Sequence, residues 1–192
     1  MKTMESAIGT AERLTLPDTG LRALSIQAVL LALSAAVLPA LCHVLGLPVR
    51  WILPMHWAVL LAGLTYGWRV GSVIGLLAPG ASYLLSGMPL PHILPAMSVE
   101  LGTYGFVAGV ARQTWGLGGV ASTLVAILSG RAVFVLTALA TGAAVPRIPA
   151  YLQTALLPGI AVAVSQVIVL PPVAMWWVRK ESRTGASAIR GR

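Results

Sequence analysis

Six apolar runs, separated by short breaks rich in Gly, Pro and Arg, fill most of this chain. They read as about Leu24–Gly46, Leu53–Gly67, Val70–Ser86, His92–Ala111, Gly116–Thr141 and Tyr151–Val178. A helix crosses a bilayer with about 20 apolar residues. In lipid a helix satisfies its own backbone polar groups, and irregular chain is tolerated only where protein covers it or it lines a cavity. The pattern therefore predicts an all-α, polytopic membrane protein with six transmembrane helices in a compact bundle. The second run is short and has little room to tilt. The sixth is long and contains Pro158, Pro171 and Pro172, which mark kinks or unwound turns. The expected layout is a cytoplasmic tail over 1–22, a six-helix domain over 23–178 and a basic cytoplasmic tail over 179–192.

Composition removes the competing classes. Only 9% of the 192 residues are charged and 57% are hydrophobic, with a mean hydropathy of +0.87. A soluble domain carries about 25% charge, so a water-soluble domain, a disordered chain and a nucleic-acid-binding module are all excluded. The net charge of +8 reflects Lys and Arg flanking apolar runs. With both termini inside, ten of the 13 Lys and Arg lie on the inner side, Arg50 and Arg147 lie outside, and Arg131 lies within the fifth run. The positive-inside rule then gives an N-in, C-in orientation, decided by the tails. Trp51, Trp68, Trp115, Trp176 and Trp177 fall near predicted helix ends, as an aromatic belt requires. One cysteine, Cys42, excludes an intrachain disulfide framework. Residues 1–20 hold five charges and no apolar run, so the first spanning helix is expected to serve as the targeting signal.

Ionisable groups inside the membrane are the costliest feature and mark function by default. Glu100 in the fourth run and Arg131 in the fifth have opposite signs and similar depth, so they are expected to pair. The pair suits either a packing contact or one wall of a substrate pocket. His43, His56 and His92 sit at the outer helix ends beside Met55, Met88 and Met97. His and Met together suit a soft or borderline metal, but a helix-end histidine is more often a hydrogen-bonded or ligand-contacting group. No metal and no cofactor is assigned. Helix breakers crowd the same end, at Gly46–His56, Pro79-Gly80, Gly87–Pro95 and Val145–Pro149. They suggest a cup open to the outside. His56, Trp57, Ser82, Tyr83, His92, Glu100, Tyr104, Arg131 and Tyr151 are the candidate substrate-binding residues, a mostly apolar pocket with a few placed polar groups.

In the first helix Ala28, Ala32, Ala36 and Ala40 recur every four residues. Such a stripe lets another helix approach closely, either within the bundle or on a separate subunit. No Walker, His-Glu-x-x-His or Gly-x-Ser-x-Gly motif is present, so ATP hydrolysis by the Walker route is excluded and an intramembrane enzyme lacks its nucleophile or base set.

Two pieces carry a family resemblance: the Ala28/Ala32/Ala36 stripe, and the run Pro54-Met-His-Trp-Ala-Val-Leu-Leu-Ala-Gly63 through Gly67, Gly71, Gly75, Pro79, Ser82, Gly87-Met-Pro89 and Glu100 to Tyr104-Gly105. The chain resembles the substrate-binding S components of energy-coupling factor (ECF) vitamin transporters over about residues 22–178. The resemblance implies a prokaryotic cell-membrane protein that captures a vitamin-like micronutrient from outside. It also implies docking through Ala28, Ala32 and Ala36 onto a transmembrane coupling subunit driven by two cytosolic ATPases, with tipping of the bundle to release the ligand inside. The same resemblance implies no enzymatic activity in the chain itself. The rival readings are an uncoupled small permease, a membrane-complex subunit, or a metal-ion-binding S component.

Overall fold

The computed structural model describes Thr15, Leu16 and residues 20–46, 52–140 and 148–190; the side chains at 43, 148–158 and 183–190 lie outside the description. Among the described residues there are six helical rods. Helix α1 is continuous through Leu21–Ala32, a π-helical stretch Leu33–Val37 and Leu38–Val44. The others are α2 (Pro54–Tyr66), α3 (Trp68–Ser86), α4 (Leu94–Gln113), α5 (Gly119–Ala140) and α6 (Ile148–Arg190). The six rods match the six apolar runs in order. The last runs on past Val178, through residues expected to form a separate tail.

Local chemistry sets the boundaries. Proline opens α2 and α4 within their first two positions, where its missing N–H costs nothing. Gly67, at φ 89°, divides α2 from α3, and Gly87, at φ 72°, closes α3. Side chains larger than hydrogen rarely adopt that left-handed backbone.

Lipid and protein burial divide the helices. By length and composition three helices suit a membrane crossing: Leu21–Cys42, Gly119–Ala140 and Gly159–Ser182. These rods expose large aliphatic residues such as Val29, Leu41, Leu128, Leu136, Ile160 and Ile168. Hydrocarbon can cover such faces. Helix α2, only 13 residues long, is the opposite case, with 11 of its residues buried. At 1.5 Å per residue it spans about 20 Å. Protein, not lipid, surrounds it.

Contacts give the topology. Gly71 and Gly75 of α3 face Gly105 and Leu101 of α4, and Gly119 of α5 faces Pro171 of α6. Successive helices therefore run antiparallel, whereas α2 and α4 run parallel, with His56 beside Glu100 and Gly63 beside Gly105. One end of the bundle gathers the chain's first and last described parts. There Arg22 pairs with Glu181 at 2.9 Å, Gln113 donates to Thr15 Oγ1 and Leu16 N–H donates to the Thr65 carbonyl.

Glycine sets how closely α2, α3 and α4 pack. A Cβ on Gly71 would lie 2.6 Å from the Gly105 carbonyl oxygen and 2.7 Å from Gly63 Cα. A Cβ on Gly63 would also lie 2.6 Å from that oxygen. This is small-residue packing of membrane helices, in which close backbone approach replaces a hydrophobic drive between rods.

Candidate functional site

The site is built around one buried carboxylate. Glu100 stands six residues into α4, about 9 Å along the helix from its start at Leu94. Its side chain is 2% exposed. Arg131 of α5 places Nη1 3.0 Å from Glu100 Oε1. Tyr104, one turn along α4, donates its hydroxyl proton to the same oxygen at 2.8 Å. His56 of α2 brings Nε2 to 3.8 Å from it and tilts its ring against that of Tyr104, the centroids 5.2 Å apart. Glu100 and Arg131 compensate each other's charge, which removes most of the cost of placing either at this depth.

His56 is fully enclosed, and neither of its ring nitrogens has a hydrogen-bond partner in the structure. A neutral imidazole carries one donor and one acceptor, and leaving such groups unmatched in a dry interior is costly.

The nine expected substrate-binding residues separate into two sets. His56, Glu100, Tyr104 and Arg131 come together on α2, α4 and α5. Trp57 is half-buried and donates its indole N–H to the Ile52 carbonyl at 3.0 Å, anchoring the start of α2. Ser82 is buried on α3 and Tyr83 beside it is exposed. His92 is exposed in the turn before α4. Among the described residues, no hydrogen bond, ion pair or ring contact joins these four to Glu100. Tyr151 lies on α6 with its side chain outside the described ones, as does that of His43 on α1. No group of three or more His, Cys, Asp and Glu side chains suited to a metal occurs among the described residues.

The alanine stripe faces outward. Ala28 and Ala32 are exposed and Ala36 is half-buried, while Leu30, Ser34 and Ala35 turn into the bundle. Two of its three expected docking alanines thus lie open on the outer face of the bundle, with Ala36 partly covered.

Sequence reasoning passed over Gln166. It is 3% exposed, and its Nε2 is without a hydrogen-bond partner. Val162, Leu170, Ala174 and Val178 share its buried face of α6. A lone amide in an apolar run was the available signal. The clip of Thr15 and Leu16 onto the bundle end was also missed, because two residues carry no periodicity.

The family of ECF transporter substrate-specific components matches residues 22–179. The chain belongs to that family. Its members are transporter components, not enzymes; they bind small-molecule substrates and pair with coupling and ATPase subunits. This S component is accordingly a multi-pass membrane protein and a substrate-specific subunit of an ECF transporter. No curated protein and no solved structure matches the chain.

Proposed function

We propose that this S component captures a vitamin-like micronutrient from outside the prokaryotic cytoplasmic membrane and holds it at the His56–Glu100–Tyr104–Arg131 cluster. The observation that carries this reading is the enclosed His56, whose two ring nitrogens have no hydrogen-bond partner and whose Nε2 stops 3.8 Å from the buried Glu100 carboxylate. Packing alone gains nothing from an imidazole left without partners. A bound solute with a donor and an acceptor would satisfy it. The Glu100–Arg131 pair leaves the site near neutral overall, so recognition rests on hydrogen bonding and ring contact with Tyr104 more than on net charge.

With N-in, C-in topology the cluster lies in the outer half of the bundle. Ligand then enters from the end that holds Pro54, Gly87 and Leu94. The outward-facing Ala28, Ala32 and Ala36 offer a smooth surface for the coupling subunit, and two ATPases drive release inside.

The test begins with protein purified in mild detergent, denatured, and its released small molecules identified by mass spectrometry. A stoichiometric vitamin-like compound is expected from wild type and is absent from Glu100→Gln protein that still folds. A Glu100→Gln variant that retains a full complement of the compound refutes the site assignment. A stoichiometric metal ion in place of an organic compound refutes the vitamin reading.

A further inference from the structure

Two glycines outside every expected site lie directly beneath its working groups. A Cβ on Gly159 of α6 would run into the Arg131 guanidinium, with Cζ 3.0 Å and Nε 3.5 Å away and Nη2 nearer still. A Cβ on Gly130 of α5 would run into Cε1 and Cδ1 of the Tyr104 ring and come within 3.2 Å of the Glu100 carbonyl. Both glycines are buried and helical. Neither has a left-handed φ, so backbone freedom does not explain them.

Arg131 and Tyr104 both direct a donor at one oxygen, Glu100 Oε1. A guanidinium is planar and forks rigidly, so its reach depends on where the plane lies. The Tyr104 ring likewise has one path to that oxygen from its place on α4. Each group presses against a helix where a side chain is missing, Arg131 with its Nη2 tip and Tyr104 with one edge of its ring. We infer that Gly159 and Gly130 are positioning residues of the ligand site: the first seats Arg131, the second seats Tyr104, and together they aim both donors at Glu100. This inference rests on the ligand-site reading for its functional meaning but not for its geometry.

The test is a pair of double-mutant cycles on thermal unfolding of the ligand-free protein in detergent. Gly159→Ala is made alone and in Arg131→Met, which keeps an unbranched stem out to the Nε position and removes the guanidinium. Gly130→Ala is made alone and in Tyr104→Leu, which removes the ring. If the glycines act through Arg131 and Tyr104, each alanine lowers Tm by about 5 °C in the otherwise native protein. In the background that lacks the colliding group the same alanine has little effect. Equal losses in both backgrounds mean that the glycines serve helix packing alone, and the inference fails. No loss in the native background also overturns it.

A second arm keeps this outcome separate from the site reading. The same variants, with Glu100→Gln, are melted with riboflavin, thiamine, biotin, folate or cobalamin added. If a compound raises Tm of wild type and the rise is lost in Gly159→Ala and Glu100→Gln, both readings stand. If Glu100→Gln keeps the rise while the cycles still show coupling, the site reading fails and the two glycines remain positioning residues for a structural ion pair.

Discussion

The α3–α4 seam gives the sharpest quantitative test of the fold, through Gly71→Ala. The added methyl would sit 2.6 Å from the Gly105 carbonyl oxygen and 2.7 Å from Gly63 Cα, both backbone atoms. No rotamer change relieves such contacts, so the helices must part. Restoring an ordinary contact of 3.4 Å requires a separation of about 0.8 Å. A gap of that size forfeits roughly a quarter to a half of the dispersion energy of each pair along the seam. Overpacking in a rigid core costs about 1–3 kcal/mol, and contact with two backbone strands at once places this variant near the upper value. For a chain of this length each kcal/mol moves Tm by roughly 2–4 °C, so a fall of about 6–12 °C is expected. Gly80→Ala is the matched control. It lies in the same helix, a Cβ there meets nothing within 4 Å, and removing a helical glycine gains up to about 1 kcal/mol. The assay is thermal unfolding of the two variants in one detergent, followed by intrinsic tryptophan fluorescence. If Gly71→Ala and Gly80→Ala shift Tm alike, glycine does not hold α2, α3 and α4 at backbone contact, and the packing argument is wrong.

Glu100→Gln keeps the side-chain shape but leaves Arg131 facing a neutral amide. Arg131 is 19% exposed and so retains some hydration, which reduces the expected destabilisation to about 2–3 kcal/mol; an unchanged Tm would mean the pair contributes nothing. Leu16→Ala empties a place in the main core at the end where the chain begins and is expected to cost about 2 kcal/mol, visible as a fall in Tm of several degrees. A Leu16→Ala protein that melts like wild type would show that the clip is not part of the core. Ala32→Trp lies on an exposed position of α1, so Tm should stay within about 2 °C, while co-purification with the coupling subunit is lost. Intact co-purification would remove the stripe from the docking face.

The sequence revealed the number of rods because each apolar run is long, and Gly and Pro mark each break. It revealed the Glu100–Arg131 pair because two opposite charges at like depth have few other ways to be tolerated. It grouped His56 with them as a candidate ligand residue but not their 3.8 Å approach, since the parallel packing of α2 on α4 depends on contacts far apart in the chain. The bond from the Trp57 indole N–H to the local Ile52 carbonyl is equally beyond the reach of spacing. Gly130 and Gly159 were invisible for a related reason. A glycine in a membrane helix reads as ordinary small-residue packing until the side chain lying over it is known. The direction of the alanine stripe was open as well, because Ser25 and Gln27 fall on opposite sides of α1 and its π-helical stretch alters the register midway.

The length of α6 has a mechanical consequence. Its 43 residues span about 64 Å, against about 30 Å of hydrocarbon. Beyond Val178 about 12 residues, or roughly 18 Å of rod, continue as helix. Such a rod is a mast fixed to the bundle. Any tilt of the bundle is carried to its tip as a sweep in proportion to that arm, so a spin or fluorescent label near Arg190 would read rotation of the whole protein against the plane of the bilayer.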